Sequence, residues 1–107
     1  MLVESFGTQT AVVGTEHTLA SPTTAKTRAL LVNVVAMLAG DTVELRISGS
    51  VLSGATPRLI LMSTFSGAVG APHTQSPPIL MPQGGDITLK QTAGTARAYP
   101  WSIITLD

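Results

Sequence analysis

No window of this sequence repeats its apolar residues at helical spacing. Glycine and proline, 10 and 7 of them among 107 residues, recur at short intervals instead, and between them lie runs rich in Val, Ile, Leu and Thr. Chains punctuated in this way fold as short strands joined by tight turns. Residues 42–48 alternate at period two, with Val43, Leu45 and Ile47 facing one way and Thr42, Glu44, Arg46 and Ser48 the other. That alternation predicts a half-buried strand. Residues 87–90 repeat the pattern after the turn signal Gln83-Gly84-Gly85-Asp86, and Gly40-Asp41 introduces the first strand in the same manner. The two Gly-Asp starts predict hairpins.

Residues 27–38 are apolar at nearly every position and β-branched at Val32, Val34 and Val35. This is the pattern of a central strand covered on both faces, with a helical segment as the alternative that periodicity leaves open. A further strand is expected over 58–65 after Pro57, a hairpin over 9–13 and 16–19 about Gly14-Thr15, and a short strand over 79–81. A last strand, 98–106, contains Pro100, which places it at an edge or a bulge. Residues 66–78, with His73 among them, form the longest irregular stretch, of a kind that reaches toward a partner or a ligand. About eight short strands with no helix between them predict an all-β fold, an antiparallel two-sheet sandwich of jelly-roll or Greek-key type, ahead of a small barrel. One domain is expected over 1–107, with residues 1–7 an N-terminal arm whose apolar Leu2, Val3 and Phe6 pack on a neighbour.

Six Lys/Arg and six Asp/Glu cancel to zero net charge and are scattered along the chain. Without a basic stripe to neutralise phosphates, nucleic acid is not an expected partner. The most apolar stretch, 29–39, contains Asn33 and falls well short of the roughly 20 residues of a membrane-spanning helix. No membrane partner is expected. The first residues have neither a basic nor a long apolar region, so no signal peptide is expected. The absence of cysteine removes the disulfide staple and leaves the redox compartment open.

No enzymatic activity and no cofactor are expected. His17 and His73 stand 56 positions apart in a chain without cysteine, so no metal-ligand spacing exists. Asp41 and Asp86 each follow glycine at a turn, where side-chain bonding to the local backbone accounts for them. No G-x-S-x-G surrounds any serine, and residues 49–54, Gly-Ser-Val-Leu-Ser-Gly, lack both the G-K-[ST] ending and the following helix of a phosphate cradle. Four aromatics are too few for a single-strand stacking platform. Tyr99 and Trp101, two apart on one strand, face the same side, either as a sugar-stacking pair or as a core or interface anchor.

The surface carries the positive signal. Charged residues are 11% of the chain, against about 25% in ordinary soluble domains, and mean hydropathy is +0.37. Interface cores are depleted of Lys, Glu and Asp in this way, which points to packing against copies of itself or against a larger lattice. Leu2, Val3, Phe6, Tyr99 and Trp101 are the candidate interface residues. A glycan- or cell-surface-binding module built on Tyr99, Trp101 and the 66–78 loop is the competing class.

The last third of the chain adds a resemblance. Residues 76–82, Ser-Pro-Pro-Ile-Leu-Met-Pro, then 85–95, Gly-Asp-Ile-Thr-Leu-Lys-Gln-Thr-Ala-Gly-Thr, then Tyr99-Pro100-Trp101-Ser102-Ile103 resemble the end of small β-sandwich virion proteins of tailed bacteriophages. In that family LxQTxGTxRxxPW makes the last hairpin. The resemblance covers about the last 65 residues, from Gly40-Asp41 onward. It implies a structural role in the virion as a capsid decoration or cement protein, assembled in the host cytoplasm, with a jelly-roll-like fold and a homotrimer seated where capsomers meet. The partners it implies are further copies of the chain and the major capsid or other virion proteins; a tail or baseplate component is the variant. It transfers no catalytic residue, and 107 residues leave no room for an added receptor-binding domain. Gly94-Thr95 is then the turn between the last two strands, and Trp101 fills the core or a subunit interface.

Overall fold

The computed structural model describes residues 2–68 and 73–106. Its elements are β1 (Leu2–Thr10), β2 (Glu16–Ala20), β3 (Lys26–Asn33), β4 (Thr42–Gly49), β5 (Arg58–Ser66), β6 (His73–Gln75), β7 (Ile79–Met81), β8 (Gly85–Ala93) and β9 (Ala98–Thr105). They form two antiparallel sheets. In sheet A the order is β1-β9-β3, with β6 and β7 both on the outer side of β3; in sheet B it is β2-β8-β4-β5. Counting β6 and β7 as one strand, interrupted at Ser76-Pro77-Pro78, the two orders become 1-8-3-6 and 2-7-4-5. That is the strand order of a jelly roll, a long hairpin folded over on itself.

The alternation read from the sequence of β4 is the burial observed, with Val43, Leu45 and Ile47 inside. They meet Ile87 and Leu89 of β8 and, across the sandwich, Leu30 and Val32 of β3, Ile79 and Met81 of β7, and Tyr99 and Ile103 of β9. Each large aliphatic buried here contributes about 1.5–3 kcal/mol of transfer free energy. Together these contacts form one core.

Three expectations about local structure change. The strand expected over 27–38 ends at Asn33, because the Asn33 side chain accepts the N–H of Val35 at 3.0 Å and the Val34 carbonyl accepts that of Met37 at 3.0 Å, turning the chain. Val34 and Met37 still reach the core from that turn. The Gly-Asp starts, the Gly14-Thr15 turn and the Gly94-Thr95 turn are corners between sheets and not hairpins; β4 and β5 are the sole consecutive pair of strands hydrogen-bonded to each other among the described residues. Strand β9 is central, between β1 and β3, and Pro100 is accommodated because pairing with β3 stops at Trp101, leaving Pro100 opposite Thr8 of β1 alone.

The expected N-terminal arm is the first part of β1, paired with β9 along its length and therefore a sheet edge that belongs to this domain. Met1 lies outside the described residues, as do positions 69–72 of the expected irregular segment. The remainder of that segment supplies β6.

Candidate interaction face

Among the described residues, His17, Asp41, Ser50 and Asp86 are each held in hydrogen bonds to neighbouring groups. His17 lies on β2, where its Nε2 accepts the Val12 N–H at 3.0 Å; His73 begins β6, and its side chain lies outside the described residues. Among the described residues no three of His, Asp and Glu stand close enough to hold a metal ion. Asp86 accepts the Ser21 hydroxyl at 2.7 Å, and Ser50 donates to the Ala55 carbonyl at 2.8 Å within the 49–57 loop. The His17 and Ser50 bonds close turns, whereas Asp86, expected to bond its local backbone, instead ties the start of β8 to the segment after β2.

Asp41 and the motif after β8 form one buried network. The Asp41 carboxylate accepts the N–H groups of Leu38 and Thr95 and the Nε of Arg97 at 2.9–3.0 Å. Gln91, fully buried, donates to the carbonyls of Ala93 and Thr95 and accepts from the Arg97 N–H and the Tyr99 hydroxyl. The network ties the β3–β4 corner to the β8–β9 corner. Tyr99 is therefore an interior residue, 0% exposed, which of the readings left open by the sequence is the core anchor and leaves it out of the candidate interface residues; burial first, and the Asp41 charge second, push its hydroxyl up to about 12. Trp101 does face the same side as Tyr99, but it is half-buried at the margin of the core, its indole lying over Gly7 of β1.

Among the described residues two carboxylates are held below their usual range. Asp41 is lowered mainly by the two backbone N–H groups, with Arg97 adding to them; Glu4 is lowered mainly by its hydrogen bonds to the buried Arg28, at 2.7 and 3.0 Å. A depressed folded-state pKa contributes stability that is complete above the unfolded carboxyl value of about 4 and is lost as pH falls through the folded one. The melting temperature is expected to hold down to about pH 5 and then fall. Asp41→Asn, which no longer titrates, makes that acid decline shallower, and thermal melts at stepped pH check it; parallel declines in the two proteins would take Asp41 out of the account.

The two outer faces of the sandwich differ in chemistry. On sheet B, Lys90 stands in register between Glu16 and Glu44, and Arg46 bonds Glu44 at 2.9 Å beside Glu16, whose other oxygen accepts the Thr88 hydroxyl at 2.6 Å. This is a solvated, charged face. On sheet A the outward registers run in rows, Phe6–Ser102–Leu31–Gln75 and Val3–Ile104–Ala29, with Leu80 of β7 beside Thr27. No charged side chain of the described residues occupies an outward register there. Glu4, the extra residue of the bulge in β1, tucks back to Arg28. Phe6 is 77% exposed, Leu80 75% and Val3 58%. A shallow depression of about 270 Å³, lined by Leu31, Asn33, Pro100, Trp101 and Ser102 with Val32, opens on the same face.

Of the candidate interface residues, Val3 and Phe6 lie on this face, Leu2 is exposed at its end, Trp101 borders the depression and Tyr99 is inside. Leu31, Leu80 and Ile104 belong to the face too. Their apolar character was visible in the sequence, but which side each faces depends on strand pairing. No family model matches the chain, and neither does any curated protein or solved structure.

Proposed function

We propose that the chain is a structural protein of a tailed-bacteriophage particle, a capsid decoration or cement protein that associates with its own copies, as a trimer, and packs on the lattice of major capsid or other virion proteins. The observation that supports this is the outer face of sheet A, free of charge among the described side chains and exposing Val3, Phe6 and Leu80, on a domain whose opposite face is charged. Patches of this kind on small domains mark surfaces that a partner covers. A small tail or baseplate component is the same reading at another place in the particle. The glycan-binding reading loses half of its aromatic pair to the core, since Tyr99 is buried, and the other half, Trp101, is turned inward and half-buried over Gly7.

Absolute mass by light scattering after size exclusion, at two protein concentrations, tests the self-association. The expected result is a concentration-independent species of about 33 kDa, three times the 11.0 kDa chain. A monomer at both concentrations overturns it. Addition of the protein to capsid shells that lack it, followed by sedimentation, tests the lattice contact: the protein is expected to pellet with the shells, and Leu80→Asp, at a position 75% exposed on β7, to remain in the supernatant with an unchanged melting temperature.

A further inference from the structure

We propose that copies of this chain join edge to edge, β1 of one copy pairing with β5 of the next, so that the contact is heterologous and closes into a ring. The inference rests on the self-association proposed above and says which strands make it. A sandwich of two open sheets has four outer edges, and each presents unpaired N–H and C=O groups that invite another strand unless something blunts it. Two of the four are blunted. Strand β2 has five residues, carries Glu16, and is bulged between Thr18 and Ala20. The β6/β7 edge consists of two three-residue pieces separated by Pro77 and Pro78 and followed by Pro82.

The other two edges are open and alike. Strands β1 and β5 are each nine residues long, and beyond them the described residues supply no further strand. Each has its one charge and its one bulge near its start, Glu4 in β1, and Arg58 with the extra Ile60 in β5. After the bulge each runs for six regular residues with neither charge nor proline, Ser5–Thr10 and Leu61–Ser66. Backbone pairing between them meets no like charge and no missing donor. The side chains that stand outward along the two runs, Phe6 and Thr8 on one and Met62 and Thr64 on the other, are of the types that pair well across strands.

Closure selects β1 with β5. A dyad of β1 on β1 leaves the β5 edge open in every dimer, and the reverse holds for β5 on β5. A heterologous contact uses each open edge once per copy, and when the rotation closes no open edge is left. The three-copy ring proposed above has this property.

The chain has no cysteine, so introduced thiols report pairing without background. Thr8→Cys and Thr10→Cys in β1, and Met62→Cys, Thr64→Cys and Ser66→Cys in β5, are made singly at exposed positions, mixed pairwise, and oxidised. Non-reducing gels are expected to show a covalent dimer in at least one β1 and β5 mixture and none in any single variant. A single β1 variant that links to itself overturns the proposal in favour of a dyad. A trimer by mass in which no mixture links overturns the edge pairing and leaves the self-association standing, whereas a monomer by mass overturns both.

Discussion

Replacing Gly85 with alanine is expected to cost about 3–5 kcal/mol, a large share of the roughly 5–15 kcal/mol that holds a domain of this size together. Gly85 opens β8 opposite Gly49 of β4, with φ at +153°. A Cβ built there stands 1.9 Å from the Ser48 carbonyl oxygen and 2.8 Å from the Gly49 Cα, and both obstacles are backbone held in the β4–β8 ladder. No rotamer relieves the clash, so either the ladder opens or β8 shifts. Its neighbour Gly84 is equally enclosed, by the Pro22 carbonyl, which also accepts the Gly85 N–H at 2.9 Å. Three segments therefore converge on two residues without side chains. Gly14, at φ +87° with open space around it, isolates the conformational part alone, worth about 1 kcal/mol as alanine. Thermal melts should place Gly14→Ala about 4–8 °C below the parent and Gly85→Ala more than about 15 °C below it. Equal shifts would show that the enclosure of Gly85 contributes nothing.

The same corner shows what sequence patterning can and cannot reveal. Alternation in β4 was legible because one face of a half-buried strand must be apolar and the other need not be, and the two-sheet class followed from the spacing of such strands. Pairing was not legible. Gly40-Asp41 and Gly84-Gly85-Asp86 supply the turn chemistry of a hairpin, yet in a jelly roll the strands that follow cross to the opposite sheet, and nothing within four residues distinguishes the two outcomes. Strand β1 is the sharper case. Its inward positions are Ser5, Gly7 and Gln9 while Phe6 faces out, the reverse of what an isolated apolar pattern suggests. The indole of Trp101, in van der Waals contact with the space above Gly7, fills the volume that a large inward residue on β1 would occupy. A residue ninety-four positions away thus sets the polarity of the strand, which is why Leu2, Val3 and Phe6 read as an arm. The same dependence hides the interaction face: Leu31 lies in a continuous apolar run, and only its place between Ser102 and Gln75 shows that it faces outward.

Gln91→Leu is expected to cost about 3–5 kcal/mol, and the result bears on what the last third of the chain is for. Leucine fits the buried volume but leaves four groups without their partner: the carbonyls of Ala93 and Thr95, the N–H of Arg97 and the hydroxyl of Tyr99. Tyr99→Phe removes one of these bonds and leaves the Gln91 oxygen still accepting from Arg97, so it should cost about 1–2 kcal/mol. Urea denaturation monitored by the single tryptophan, Trp101, measures both, and the costs should be the same whether or not the copies associate. The motif that carries the resemblance to phage virion proteins is then a device for turning a chain from one sheet to the other, with Gln91 bonding the corner from within, Gly94 passing close to Asp41, and Arg97 closing on the Asp41 carboxylate. A motif of that kind identifies a fold corner. The contact with other virion proteins proposed above is to be sought on the outer face of sheet A, where Leu80→Asp is expected to change binding and leave stability alone. If Gln91→Leu proves stable to within about 1 kcal/mol of the parent, the corner does not depend on this network, and the motif residues must be examined for a role at the surface.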